Sequence, residues 1–529
     1  MYSDLVLFNG RIHTLDAQMP SATAAAIREE QIVYIGDDAR ARETLRPGGE
    51  AVDLKGRCVT PGLTDAHLHF SWFALGLQSV DVETPTLDEA LARVGERAKI
   101  AAPGAWITGW GWNHNLWGDL PTAADLDRVA PNHPVALEAK SGHAEWVNSR
   151  ALELTGVTAS TPDPLGGQIV RDARGQPTGI LLEDAMDLIG EARPTPTPEQ
   201  VAELMRAAFP VAHRAGLTGI HDFDGPVAFA AFQLLRCTQR QQRGQLGLRV
   251  VKSIPREMLS QAIDLGLRSG FGDEWLRIGS VKLFADGALG PQTAAMLEPF
   301  EGSNSRGITT LSEAEMADNV RRANAAGLSC AIHAIGDRAC RTVLDVYEEV
   351  GSRDLRNRIE HVQLLHPQDY ARLGKLGVIA SMQPTHATSD MLISDKYWGK
   401  RSAGAYAWRT QLDAGAVLAF GSDCPVEKID PLMGIHAAVT RRRADGSPGP
   451  EGWYPEQRLT VEEAVRAFTW GAACAAGQED RLGSITPGKL ADFTVLDRDI
   501  FAIEPMEILN THVDATIIGG QFVWRAEQL

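Results

Sequence analysis

The chain has 529 residues, 44% of them hydrophobic and 22% charged, and a formal net charge of −17. That length exceeds one small core and predicts one large domain with accessory parts. Such acidity excludes nucleic acid and anionic membrane as partners, because both require basic patches, and no apolar run approaches the ~20 residues of a membrane helix.

The first sixty residues read as short strands. Leu5-Val6-Leu7-Phe8, the turn pair Asn9-Gly10 and the β-former Ile12 suggest a hairpin. Ala24–Ile27 and Gln31–Gly36, joined by Arg28-Glu29-Glu30, make a second. Met1-Tyr2-Ser3-Asp4 has neither the basic start nor the apolar core of a signal peptide. Six scattered cysteines without a Cys-x-x-Cys pair suit reduced thiols, so a cytoplasmic protein is expected. The carboxyl end is also strand-rich, at Ala491–Asp497 and Ala515–Trp524. The economical arrangement is one small β-sandwich domain built from residues 1–60 and 480–529. Two separate β caps are the alternative.

The next stretch is mixed. Thr86-Leu87-Asp88-Glu89 is a capping box that opens a helix, and Thr197-Pro198-Glu199-Gln200 opens another. Between them lies Trp106–Gly118, dense in tryptophan, which either packs a subdomain or lines a pocket. Ser141–Asn148 could join the same wall.

From about residue 216 an apolar strand alternates with a helix. The predicted strands are Leu217–Asp222, Leu248–Ser253, Ile278–Phe284, Leu328–His333, Arg358–Val362, Val378–Gln383 and Ala416–Asp423. The run before Pro61-Gly62-Leu63-Thr64-Asp65-Ala66-His67-Leu68-His69 adds an eighth. Eight such units predict an α/β fold, a (β/α)8 TIM barrel over residues 61–479, with its site at the carboxyl ends of the strands. Residues 70–215 are too many for one crossover and predict an insertion subdomain on that face.

The strand ends carry the chemistry. His67 and His69 share one face of the first strand, where two imidazoles can reach one ion. Lys282 lies on strand four; His333, His361 and Asp423 close strands five, six and eight. Any one of these could be a cap or core residue, but as a set they converge on one point. Lys282 shares a face with Ile278, Ser280 and Phe284, which would point it inward. A buried ammonium beside a cation is unfavourable, whereas a neutral amine can take up carbon dioxide as an anionic carbamate. Pairing with Asp286, or an escape to solvent, is the plainer alternative.

These residues resemble the amidohydrolase superfamily. Lys282–Gly290, His333-Ala334-Ile335-Gly336-Asp337, Glu360-His361, Trp110–Asn113 and Pro487–Phe493 resemble its YtcJ-like branch, which includes N-substituted formamide deformylases. The chain departs from many relatives at Pro291-Gln292, where they carry Ser-Arg. The resemblance implies two divalent metal ions, zinc as first choice. His67, His69 and Asp423 would hold one and His333 and His361 the other, with carbamylated Lys282 bridging. It implies a metal-held hydroxide as nucleophile, Asp423 as proton carrier and hydrolysis of an amide or formamide C–N bond in a small molecule. Trp112, His114, His143 and His386 are candidate substrate contacts, and a homodimer is expected. The rival readings are a mononuclear heterocycle deaminase, which Lys282 argues against, and a non-catalytic barrel that only binds.

Overall fold

The computed structural model describes residues 2–112, 117–139, 144–164, 167–190, 193, 196–239 and 246–529. It divides into two compact units, Met1–Phe73 with Val201–Leu529, and Ala74–Gln200. The larger unit contains a (β/α)8 barrel. Its strands are β1 (Leu63–Leu68), β2 (Leu217–Asp222), β3 (Arg249–Pro255), β4 (Leu276–Phe284), β5 (Cys330–Ala334), β6 (Arg358–His361), β7 (Ile379–Met382) and β8 (Leu418–Phe420). They form one sheet in sequential order, all pairs parallel. Strands this apolar are buried on both faces, inward against one another and outward against helices. The ring is completed past the end of β8. Asp423 N donates to His67 O at 2.7 Å, and His69 N to Cys424 O at 2.8 Å. Gly421 makes this approach possible, since a Cβ there would stand 2.5 Å from His67 N.

Both chain ends build a β sandwich. One sheet orders Gln31–Gly36, Ala24–Arg28, Ser3–Phe8 and Leu45–Asp53; the other orders Gln521–Arg525, Val513–Ile518, Phe493–Leu496, Cys58–Pro61, Arg11–His13 and Ser21–Ala22. The pairing of Cys58–Pro61 with Phe493–Leu496 joins the two termini in one sheet. The hairpin expected at Asn9-Gly10 does not form. Ser3–Phe8 and Arg11–His13 belong to different sheets, and Asn9, at φ 57°, turns the chain from one layer to the other. The hairpin Ala24–Arg28/Gln31–Gly36 is present.

The helix starts follow their caps. Thr86 Oγ1 accepts from Glu89 N ahead of Leu87–Ile100, and Ser312 with Glu315 forms a reciprocal box ahead of Glu313–Ala325. The helix Pro198–Arg214 turns Phe209 inward, where it stacks on Phe70.

The smaller unit has a six-stranded sheet ordered Gly167–Arg171, Pro177–Glu183, Ala144–Val147, Val135–Ala139, Ile107–Trp112 and Val80–Asp81. Its core includes Trp112 and Trp146, whose rings meet edge to face 6.4 Å apart. Among the described residues no helix is long and apolar enough to cross a membrane.

Candidate metal centre

His67 closes β1, and its orientation is fixed from behind. Its Nδ1 lies 2.6 Å from Glu360 Oε2. An ionised carboxylate only accepts, so Nδ1 carries the proton and Nε2 keeps its lone pair. Burial alone would raise the Glu360 pKa, but Arg358 and His67 hold it well below the usual carboxylate range. His69 is set the same way, with Nδ1 3.0 Å from Asp224 Oδ1. His361 donates from Nδ1 to Gln383 Oε1 at 2.8 Å. His333 turns the other way, with Nε2 on Gly287 O at 3.0 Å, which leaves Nδ1 as its free nitrogen. Each of these imidazoles is aimed through one nitrogen by a partner on the other, the arrangement that ligating histidines adopt.

Two of the free nitrogens face one carboxylate. His67 Nε2 and His69 Nε2 each lie 3.5 Å from Asp423 Oδ1. Ligand atoms of His67, His361 and Asp423 all lie within 4.8 Å of one another, in a buried cluster. The ring centroids of His333 and His361 are 4.6 Å apart. Two lone pairs directed at an anionic oxygen repel unless a cation lies among them, so this donor set fits a divalent metal. Burial, the largest influence, depresses the pKa of His67 and His361 well below the ordinary value and that of His333 to about 4. All three are therefore neutral, as ligands must be.

Two residues of the cluster use uncommon backbone. His361 has φ 73° and Asp423 φ 61°. Left-handed conformations in non-glycine residues cost about 1–3 kcal/mol and concentrate at functional sites. At His361 the conformation interrupts the strand alternation, so Glu360 and His361 both serve the same cluster.

Lys282 is buried, with its Nζ over the rings of Phe223 and Phe284 at 4.7 and 4.9 Å. Among the described residues no carboxylate pairs with it. Asp286, the partner weighed from the sequence, instead accepts the backbone N–H groups of Ala295, Ile335 and Gly336. Burial lowers the Lys282 pKa to about 8, although Glu360 and Asp423 oppose the shift.

His386 joins the cluster from the helix Pro384–Trp398. Its ring stacks on His361 at 6.1 Å, and its Nε2 stands 3.8 Å from Asp423 Oδ2. His221, at the end of β2, accepts from Arg358. Trp112 is 1% exposed and donates Nε1–H to Leu137 O, so it packs the core of the smaller unit where a substrate contact was expected, whereas Trp110 of the same segment is 46% exposed. His114 and His143 lie outside the described residues.

The sequence reading missed the residues that orient these imidazoles, Glu360, Asp224 and Gln383. It also missed two aromatics beside them. Trp72 stacks on His69 at 4.7 Å and Phe284 tilts against His333 at 5.3 Å. They are 57% and 49% exposed, which leaves apolar faces open next to the centre.

A (β/α)8 barrel gathering imidazoles and a carboxylate at one end defines a metal-dependent hydrolase. The model of the amidohydrolase family matches residues 50–524, and the chain belongs to that family. It is 35% identical to Protein LONG AFTER FAR-RED 3 of Arabidopsis thaliana, covering 98% of this chain and 91% of that protein. It is 33% identical to the amidohydrolase YtcJ of Bacillus subtilis (strain 168), over 97% of this chain and 98% of that one. Identity to the N-substituted formamide deformylase of Arthrobacter pascens is 31%, over 97% and 98%. A solved metal-dependent hydrolase from Pyrococcus furiosus superposes with a TM-score of 0.78 at 30% identity, covering 94% of this chain and 99% of that one.

Proposed function

We propose that the protein hydrolyses an amide- or formamide-type C–N bond of a small molecule. The observation that carries this reading is the convergence of two aimed imidazole nitrogens on Asp423, with a buried Lys282 lacking an ion-pair partner among the described residues. His67, His69 and Asp423 would hold one divalent cation and His333 and His361 a second. Lys282 would be shared by both as a carbamate, formed when its neutral amine adds carbon dioxide and releases a proton. Zinc suits this ligand set. Cations in this place supply Lewis acidity toward a carbonyl and lower the pKa of a water.

The side chains carry the remaining work. Asp423 takes a proton from water and returns it to the departing nitrogen. Burial brings its pKa up to about 6; a cation bound beside it would lower that value and favour the carboxylate form that accepts the proton. His386 faces the same carboxylate, and its Nε2 makes no hydrogen bond among the described residues, so it is free to bind the substrate carbonyl. Trp72 and Phe284 offer apolar faces to a substituent on nitrogen or carbon. The formamide chemistry follows the relative whose name carries it.

The test is elemental analysis of the wild type and Lys282→Ala, followed by assay of formamides, acyl amides and cyclic imides. About two metals per chain are expected in the wild type. In the variant, metal should fall and turnover should drop by several orders of magnitude. Full activity in Lys282→Ala would end the carbamate assignment. One metal, unchanged in the variant, would favour the deaminase reading, for which the compact His67–His361–Asp423 cluster alone would suffice.

A further inference from the structure

A second group of ligating side chains lies in the terminal β sandwich. Arg11–His13 and Cys58–Pro61 are parallel neighbours, with Arg11 opposite Cys58 and Ile12 opposite Val59. Paired residues in a parallel ladder project from the same face, and so do residues two apart on one strand. Arg11, His13 and Cys58 therefore share a face. Asp499 reaches that face from the turn after Phe493–Leu496. Ala502 N–H bonds to Asp499 O at 2.9 Å, and Phe501 N–H to Asp499 Oδ1 at 3.2 Å, so the turn holds its own carboxylate in place. The His13 ring stacks on Phe501 at 3.9 Å and 17°, which fixes the imidazole plane. His13 Nε2 stands 3.1 Å from Asp499 Oδ1. Ligand atoms of His13, Cys58 and Asp499 all lie within 4.8 Å of one another.

We propose that His13, Cys58 and Asp499 form a second cation site, separate from the barrel centre, for zinc or a divalent ion of similar softness. The ligands are His13 Nε2, Cys58 Sγ and an Asp499 oxygen, with water in the fourth position. Zinc bonds of ~2.0–2.3 Å in a tetrahedron place these N, O and S atoms roughly 3.3–3.5 Å apart, so closing the site needs no pair to approach by more than about 1.5 Å. The His13 and Asp499 side chains are 26% and 13% exposed, which leaves an approach for the ion and its water. On binding, the Cys58 thiol releases its proton to solvent. Thiolate and carboxylate then neutralise the two positive charges. Arg11 approaches Asp499 to 3.8 Å but is 64% exposed, so it can swing into solvent as the ion enters.

Cobalt distinguishes this site from the barrel centre, whose ligand set contains no thiol. Metal-free, full-length protein titrated with Co2+ should show a thiolate-to-cobalt charge-transfer absorption. In Cys58→Ser that absorption should vanish and bound cobalt should fall by one ion per chain, while hydrolytic turnover stays within two-fold of wild type. Absence of the absorption from the saturated wild type, or its survival in Cys58→Ser, would overturn the proposal. A second variant guards against a folding defect in the first. Asp499→Asn keeps a carbonyl acceptor for His13 and removes only the charge. It should weaken cobalt binding at this site at least ten-fold, and unchanged affinity would show that the three side chains merely tie the turn to the sheet.

Discussion

Glu360 carries its charge deep in the barrel, paired with Arg358 and hydrogen-bonded to His67. Arg358 also donates to Ala66 O, Ser381 Oγ and His221 Nδ1, so one guanidinium ties β6 to β1, β2 and β7. Glu360→Gln keeps an acceptor for the imidazole and removes the charge that makes it a stronger ligand. Metal affinity, measured by chelator competition, should fall about 10–100-fold. Affinity equal to wild type would show that the carboxylate serves only Arg358. The proposed ligands could be picked out in the sequence because metal chemistry restricts candidates to few residue types at strand ends. Glu360 was not, because strand alternation places neighbours on opposite faces, and only the left-handed turn at His361 brings both to the centre.

The eight barrel strands were readable as elements because apolar runs alternate with helical segments, some of which carry their own start signal, as at Ser312. Local chemistry ran out where two outcomes share one signal. Asn9-Gly10 suits a hairpin and a crossing between layers equally, and only pairing partners far along the chain decide. The tryptophan-rich segment was ambiguous for the same reason, since packing and binding both call for large apolar area. The structure makes Trp112 a core residue of the sheet Ile107–Trp112/Val135–Ala139. Trp112→Ala should cost about 3–5 kcal/mol, seen as lost hydrogen-exchange protection across those strands with metal content unchanged. Loss of turnover with protection intact would return Trp112 to the substrate. The helix Pro431–Thr440 carries a different liability. Burial, then Arg442, lowers the His436 pKa to about 4. Above pH ~6.5 the residue is neutral folded or unfolded; below it, the unfolded chain binds a proton that the folded chain refuses. Stability is therefore lost as pH falls from about 6.5 toward 4. At pH 5 this amounts to about 2 kcal/mol. Urea unfolding of wild type and His436→Gln should show the wild type losing that much more between pH 7 and 5. An equal loss in both would mean that His436 titrates normally.

Within the larger unit, the β sandwich and barrel share a buried seam whose groups come from distant parts of the chain. Thr494 Oγ1 accepts from Leu63 N at the start of β1 and donates to Gly216 O, just ahead of β2. Next to it, Arg249 at the start of β3 makes a two-pronged pair with Asp492, through Nε at 2.6 Å and Nη2 at 2.9 Å. Asp492 also accepts Gly519 N–H at 2.8 Å, so one carboxylate bonds both the barrel and a sandwich turn. Both members are almost completely buried, with side chains 4% and 3% exposed. Such a pair adds little over a well-packed apolar substitute, but removing one member strands the other charge. Asp492→Ala should therefore cost about 3–5 kcal/mol. The second consequence concerns cooperativity. Because the seam supplies hydrogen bonds to the first strands of the barrel, neither layer keeps its full set of partners alone. The barrel and sandwich should lose structure in a single transition, shifted down in temperature by the variant. Calorimetry with hydrogen exchange on β1 and on Phe493–Leu496 checks this. If Phe493–Leu496 exchanged freely while β1 stayed protected, the sandwich would be an independent cap, and the joining of the two termini would contribute nothing to barrel stability.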